Sequence, residues 1–404
     1  MKVFVVNCGS SSIKYQLFDM TDESVLAKGL LERVGSPDSN LQHSAKGQTT
    51  KMAVKAPDHH VGLKAILSVL VDPKIGVLGS VSEINGIGHR VLHGGEVINQ
   101  TCLIDDRVRQ VIRDHFQLGP LHNPANLMGI DAALEAMPNV PNVAVFDTSF
   151  FTTLPPHAYR YALPGEWYTK YHVRRYGFHG TSHRFVTRHT AGLLGKKLAD
   201  LNIITTHLGN GCSMTAVAGG KAVDHSMGLT PLEGLVMGTR SGDMDPAILF
   251  YMAKVAGLST DQLDDALNKK SGLLGVSGVS NDMRDCLAAA DAGNANAALA
   301  VEMFVYRVIK YVGSYYTVLP ECDAVVLTGG VGENSTAVRK RIVQGLARLG
   351  AVYDDQRNNE TIRGKTGPIT AEGSPLAVWV VPTNEELMIA QDTLELVSGK
   401  GNGK

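Results

Sequence analysis

The sequence predicts an α/β protein with two related halves, and three observations carry that reading. Short apolar runs rich in β-branched residues, such as Val3–Val6, Leu201–Thr206 and Ala324–Leu327, each stop at a turn of small or polar residues. Stretches with apolar residues at helical spacing lie between them. The pattern of strand, small-residue turn and returning strand occurs at residues 3–18 and again at 201–218. A length of 404 residues corresponds to two or three domains at roughly 150 residues each. The change in pattern near residue 150 sets the expected boundaries. These are an N-terminal domain over 1–149, a second domain over 150–384, and a C-terminal helix over 385–404 that packs back on the first.

In chain order, Val3–Val6 reads as a strand, Asn7–Ser12 as a turn, and the alternating Ile13–Phe18 as the second strand of a β-hairpin. Residues 35–60 are polar and read as weak strands and surface loops. Residues 61–72 read as an amphipathic helix, and Ile84–His89 as a strand ending at Arg90. Pro120 and Pro124 break the pattern before a helix over Ala125–Ala136. Val143–Phe146 is a short buried strand that stops at Asp147, and RRYGFHGTSHRF reads as a loop running into a helix. Leu201–Thr206, the glycine-rich turn His207–Gly211 and the alternating Cys212–Ala218 form the second hairpin. Ala324–Leu327 precedes TGGVGEN, and Ala377–Val381 is the last strand. Thr383-Asn384-Glu385-Glu386 has the form of a capping box with Thr383 as the cap. Leu387, Ala390, Leu394 and Val397 then continue at helical spacing.

Composition excludes several classes. Lys and Arg number 38 against 39 Asp and Glu, a balance that argues against a general nucleic-acid binder. The five cysteines include no CxxC pair, which argues against a disulfide framework or a zinc site. His179 and His183 could share a helix face, but no third zinc ligand stands nearby at motif spacing. The start lacks a basic leader and no apolar run reaches the roughly 18 residues of a membrane span. The expectation is a cytoplasmic protein without membrane contact. GxxxxGK[ST], HExxH, GxSxG and a strand-borne GxGxxG are all missing.

Three glycine-rich turns placed directly after buried strands remain. Backbone N–H groups in such turns approach phosphate oxygens closely because no Cβ intervenes. The first adds the hydroxyls of Ser10 and Ser12 and the cation Lys14, and Asn7 stands at the strand end. A polar hairpin turn accounts for one such segment; three in one chain favour phosphate binding. Arg240 lies among small residues in MGTRSGD, and Arg90 ends a strand beside His89 and His93. Loop arginines usually face water, but one flanked by glycines can reach a phosphoryl group. Asp147 ends a buried strand. Glu385 falls in the first turn of the last helix, where a carboxylate is favoured by the helix dipole as well as by any metal.

NCGSSSIKYQLF, GHRVLHGG, PLHNPAN, VAVFDTSF, RRYGFHGTSH, HLGNG, MGLTPLEGLVMGTRSGD, TGGVGENS and PTNEEL occur together and in order over nearly the whole chain. With these nine segments the sequence resembles the acetate kinase family. The resemblance implies two ribonuclease-H-like, actin-like ATPase domains with a cleft between them. It implies reversible transfer of the γ-phosphoryl group of ATP to acetate, giving acetyl phosphate and ADP. It places Mg²⁺, with Mn²⁺ as a substitute, on Asn7 and Glu385, and Lys14, Ser10 and Ser12 near the nucleotide phosphates. Arg90 is similar to the arginine that binds the acetate carboxylate. His179 and Arg240 match the pair that stabilises the transferring group, and Asp147 an acid assigned to proton transfer. Acetate is already ionised at neutral pH, so Asp147 is expected mainly to orient an arginine or metal-bound water. His207, Leu208, Gly209, Asn210 and Gly211, then Asp282, Met283 and Arg284, then Gly330, Val331, Gly332, Glu333 and Asn334 match nucleotide-binding segments.

The family's acyl pocket maps onto Leu92, Leu121, Phe178 and Pro231. Leu92 stands where the family commonly has Val, and the added bulk is expected to favour acetate over propionate. Gly119 replaces an Ala before PLHNP, His225 replaces a Thr in VDTSMG, and Phe150–Thr153 stands where FHQT is common. The alternatives are a propionate or butyrate kinase and, from another class, an actin-like or chaperone-like nucleotide switch. A homodimer, formed through the second domain, is also implied.

Overall fold

Eight strands from the first third of the chain pair into one sheet, and the hairpin signals set its order. The computed structural model describes residues 1–120 and 122–399, so Leu121 lies outside the described residues. The strands are β1 (Lys2–Gly9), β2 (Ser12–Asp19), β3 (Ser24–Glu32), β4 (Asn40–Ala45), β5 (Gln48–Ala53), β6 (Ile84–Val91), β7 (Cys102–Leu103) and β8 (Asn142–Phe146). Their order is β5-β4-β3-β2-β1-β6-β8-β7. β1 to β5 form an antiparallel meander, while β6 runs parallel to β1 and β8 parallel to β6. Gly9 pairs with Ser12, leaving Ser10 and Ser11 as a two-residue turn.

Alternation along β1 divides its side chains between two cores. Phe4 and Val6 join Ile13, Tyr15 and Leu17 beneath helices His59–Leu70 and Asn123–Ala136. Val3 and Val5 join Phe18, Val143 and Val145 beneath Ile389 and Ala390 of helix Glu385–Val397. Each such fully buried aliphatic contributes about 1.5–3 kcal/mol relative to exposure. The segment 35–60, expected to be loops with weak strands, supplies β4 and β5. Their outward-facing polar residues hide the strand signal. The last helix also starts differently from the expected capping box. Asn384 is its N-cap and accepts from Leu387 N at 3.0 Å. The Thr383 amide instead donates to Glu333 at 3.1 Å, and its hydroxyl is buried without a hydrogen bond.

A second sheet follows: β9 (Ile203–Leu208), β10 (Cys212–Ala218), β11 (Lys221–His225), β12 (Ala324–Thr328), β13 (Gly367–Pro368) and β14 (Val378–Val380), in the order β11-β10-β9-β12-β14-β13. β9 to β11 are antiparallel, and β12 and β14 extend the sheet in parallel from β9. The core β11-β10-β9-β12-β14 thus repeats the arrangement β3-β2-β1-β6-β8. The protein is α/β, and each sheet carries the ribonuclease-H-like core expected of it. The chain divides into two compact units, Met1–Ser149 with the segment from Asn384 onward, and Phe150–Thr383. Among the described residues no helix is long and apolar enough to cross a membrane.

Candidate active site

In the first unit, the carboxyl ends of three adjacent strands carry the expected site residues, at the position where open α/β sheets bind ligands. β1 ends in the serine turn, β6 carries Arg90 near its end, and Asp147 follows β8 directly. Arg90 Nε lies 3.1 and 3.2 Å from the two Asp147 oxygens, and Nη2 lies 2.6 Å from Oδ2. Asp147 is fully buried and so holds the guanidinium in one orientation. Glu385 Oε2 stands 4.0 Å from Arg90 Nε. Burial opposes the charge on Arg90, but Asp147 and Glu385 outweigh it and raise its pKa. Burial pushes Glu385 up to about 7; Arg90 opposes the shift and the neighbouring acids Asp147 and Glu386 add to it.

Asn7 faces Lys14 across the β1–β2 ladder. Alternation puts Asn7 on the same face of β1 as Val3 and Val5, the face covered by the Glu385 helix. Ser10 and Lys14 are exposed, and Ser12 is half-buried. Among the described residues no cluster of three His, Cys, Asp or Glu forms a metal cage. Mg²⁺ does not need one, because it keeps waters and binds one or two carboxylates plus substrate phosphates. The oxygen donors Asn7 and Glu385 fit that demand, and a carboxyl crowded by other acids gains from a cation.

Two asparagines that the sequence reading passed over tie this edge together. Asn126 donates to Cys8 O at 2.8 Å and accepts from Leu92 N at 3.1 Å, fixing the serine turn and the acyl-pocket candidate to one helix. Asn123 accepts from His93 N at 3.1 Å and donates to His93 O at 3.0 Å. His59 Nε2 lies 2.8 Å from Gly9 O and anchors the turn. The signal was the pair of asparagines in PLHNPAN, whose amides suit buried backbone groups. Leu92 is buried, and a Cβ added to Gly119 would stand 2.9 Å from its Cδ2. The absent methyl at 119 therefore makes room for the larger side chain at 92.

In the second unit the equivalent hairpin turn, Gly209–Gly211, is packed by side chains. A Cβ on Gly211 would lie 3.3 Å from His179 Cε1 and 3.5 Å from Arg240 Nη1, so both functional side chains converge on this glycine. His179 precedes helix Gly180–Leu193 with a left-handed φ of 59°. Its Nδ1 lies 2.9 Å from Ser213 Oγ, and its ring stacks on His207 at 4.5 Å. Ser213 Oγ also lies 2.7 Å from His183 Nε2, so the two histidines share a serine. Arg240 is half-buried and donates to Pro231 O at 3.1 Å. No carboxylate pairs with it among the described residues, and burial lowers its pKa. A cation partly desolvated without a counter-ion suits an incoming phosphoryl group.

A cavity of about 600 Å³ borders this turn. Gly209, Asn210, Asp282, Met283, Arg284, Gly330, Val331 and Asn334 line it, so it draws on all three segments expected to bind nucleotide. Its size falls within the usual range for cofactor sites. His207, Leu208, Gly211, Gly332 and Glu333 do not line it. Leu208 and Gly332 are buried, and Glu333 Oε1 accepts from Gly329 N at 2.9 Å as an internal strut. Gly329 has a φ of 75°, and a Cβ there would meet Leu208 O at 2.7 Å, so only glycine fits. Buried Arg339 donates to Glu333 O at 2.7 Å and Gly332 O at 3.3 Å, capping the short helix Gly329–Asn334. Asn281, Leu287 and Thr336 also line the cavity and were not foreseen. Asn281 and Thr336 adjoin the foreseen segments in sequence. Phe178 is fully buried, and Pro231 is tied to the site by its carbonyl bond to Arg240.

Comparison with known proteins gives the same assignment along the whole chain. The model of the acetokinase family matches residues 2–391. A curated acetate kinase of Finegoldia magna is 52% identical over 398 residues, 98% of this chain and 100% of that protein. The crystal structure of Porphyromonas gingivalis acetate kinase superposes with a TM-score of 0.94 at 46% identity, covering 98% of this chain and 99% of that one. A propionate kinase from Francisella tularensis superposes with a TM-score of 0.91 at 41% identity, covering 98% and 99%.

Proposed function

This chain belongs to the acetokinase family, and from that premise we propose the reaction and the part each residue plays in it. The enzyme is a kinase that transfers the γ-phosphoryl group of ATP to the carboxylate of acetate, reversibly, with ADP and acetyl phosphate as products. The observation that carries the assignment of roles is the Arg240 guanidinium, which pairs with no carboxylate among the described residues and converges with His179 on Gly211. Phosphoryl transfer asks a protein for positioning and for charges that meet the negative charge spread over the equatorial oxygens. Arg240 supplies such a charge and His179 a polar ring edge beside the cavity.

In the first unit, Arg90 binds the acetate carboxylate. Asp147 engages Nε and Nη2, so Nη1 is the edge of the guanidinium turned to substrate. The attacking acetate oxygen carries no proton at neutral pH. Asp147 therefore orients Arg90 and removes nothing from the nucleophile. Asn7 and Glu385 would hold Mg²⁺, directly or through water. When bound, the ion neutralises phosphate oxygens. Ser10, Ser12 and Lys14 receive phosphate at the serine turn.

In the first unit, Leu92 lines the acyl site, where its bulk beyond a Val disfavours longer acids. One methylene changes discrimination by about 1–3 kcal/mol in such pockets, so propionate is a poor substrate rather than an excluded one. The active form is a homodimer. Helix Ala247–Ala256 supports this, since none of its residues is buried and Phe250 is 76% exposed. The cytoplasm, where five free cysteines stay reduced, is the proposed compartment.

A hydroxamate assay with ATP, Mg²⁺ and a panel of short acids tests the reading. Acyl phosphate should form with acetate first and propionate well behind. ADP formation that ignores the acid would make the protein a nucleotide switch. Equal or better kcat/KM with propionate would reverse the substrate order.

A further inference from the structure

We propose that His225 is a positioning residue for the reaction, holding the backbone that presents His179. The proposal rests on the phosphoryl-transfer reading for the role of His179, and its geometry stands apart from that reading.

His225 ends β11 and is fully buried. Its Nε2 lies 3.1 Å from the backbone nitrogen of Phe178. A backbone N–H only donates, so this ring nitrogen accepts and carries no proton. Its Nδ1 lies 2.8 Å from Thr215 Oγ1, across the β10–β11 ladder, and holds the ring proton. The imidazole thus has one tautomer and no spare polar edge. Phe151 covers it at a ring distance of 4.0 Å. Gly177 packs against both rings: a Cβ there would stand 2.6 Å from Phe151 Cδ2 and 2.9 Å from His225 Cδ2.

The segment leading to His179 is docked on residues 225–228 bond by bond. Arg175 Nη1 donates to His225 O at 2.7 Å and Met227 O at 2.9 Å. Tyr176 N donates to Gly228 O at 3.0 Å. The bond from Phe178 N to the imidazole is the next tie, and His179 follows it immediately in the left-handed conformation. That conformation is uncommon outside glycine and persists only where its surroundings impose it. A side chain of another length at 225 would remove the tie at Phe178 N and loosen the backbone one residue before His179. Burial first, then the neighbouring His183, with rings 5.4 Å apart, and Arg175 keep the ring neutral, and the adjacent Asp224 carboxylate is engaged by the His225 amide. Simple core packing would require only bulk here, whereas this arrangement requires an acceptor.

Two variants and one spectrum separate these accounts. Long-range ¹H–¹⁵N spectra of histidine-labelled protein, assigned by loss of the signal in His225→Gln, should show a neutral ring protonated on Nδ1. A ring protonated on Nε2 overturns the proposal. His225→Leu should lower kcat by about 10- to 100-fold with KM for ATP and acetate nearly unchanged, the scale expected when a reacting group is misplaced by up to about 1 Å. His225→Gln, whose Oε1 can accept from Phe178 N, should recover most of that loss. Equal activity of the two variants, at either level, would assign His225 to packing alone. If the leucine variant does not fold, the tautomer and the glutamine variant decide. A wild-type protein that phosphorylates no acid would sink the phosphoryl-transfer reading while leaving the tautomer result intact.

Discussion

The two hairpin turns hold the same place in their sheets and differ in almost everything else. Ser10 and Ser11 are exposed at the first, near the mixed-charge group of Arg90, Asp147 and Glu385. Gly209–Gly211 at the second is crowded by His179 and Arg240, and among the described residues no carboxylate pairs with the arginine. One topology therefore serves two kinds of charge. The first unit can hold a cation and a small carboxylate, because its arginine is already oriented by an acid. The second offers positive charge without an anion, which suits phosphate. The difference lies in which residue types stand at the strand ends.

The largest expected effect breaks the second site. Arg240→Ala should lower kcat by about 10³–10⁵-fold, the range seen when an arginine serving phosphoryl transfer is lost. Arg240→Lys should recover little of it, because an ammonium cannot reproduce the planar fork. In the first unit, Asp147→Ala should lower kcat/KM for acetate by about 10²-fold, as a loosened clamp does, and leave KM for ATP unchanged. Asp147→Asn should fall between, and neither variant should regain activity as pH rises. Recovery at high pH would assign Asp147 a proton-transfer role.

Both units also bury neutral imidazoles. Desolvation lowers His89 to about 4 despite its 2.7 Å bond to Asn142, and pushes His183 and His225 well below the ordinary range. The unfolded chain takes up these protons below about pH 6.5 while the folded chain does not, so stability is full above that pH and falls as pH drops. For His89 the loss reaches about 3 kcal/mol by pH 4. Urea titrations of His89→Gln should show a shallower acid slope; an unchanged slope would contradict the assignment. The smallest effect concerns size. Gly119→Ala forces Leu92 to shift, and the acetate-to-propionate preference should rise by a few-fold, within the range one methylene allows. An unchanged ratio would mean that Leu92 does not border the acyl group.

Legibility in the sequence followed local chemistry. The β1–β2 hairpin, β6, β8, the β9–β10 hairpin and β12 carry apolar or alternating runs that end in small or polar residues, and they emerge with shifted boundaries only. β4 and β5 were blurred because their outward positions are polar. The long helix Ala295–Val318 drew no assignment, although Pro320 follows its end, because its apolar residues spread around much of the barrel. The cap of the last helix slipped from Thr383 to Asn384, because Glu333, 50 residues away, takes the Thr383 amide. No spacing rule pairs Arg90 with Asp147, which stand 57 residues apart and meet because β6 and β8 are neighbours. Asn123 and Asn126 were passed over, and His225 stood out only as a replacement of Thr, for a similar reason, since their partners are backbone groups distant in sequence.

The division between the units is tested most directly by the affinity of a transition-state mimic. ADP, acetate, Mg²⁺ and aluminium fluoride should bind the wild-type protein far more tightly than ADP alone, since the planar fluoride resembles the transferring group. Arg240→Ala should erase that gain and leave the dissociation constant for ADP within about threefold, because only transition-state charge is lost. Equal weakening of ADP and of the mimic would contradict the account, placing Arg240 among the nucleotide contacts and leaving the transferring phosphoryl group to other residues.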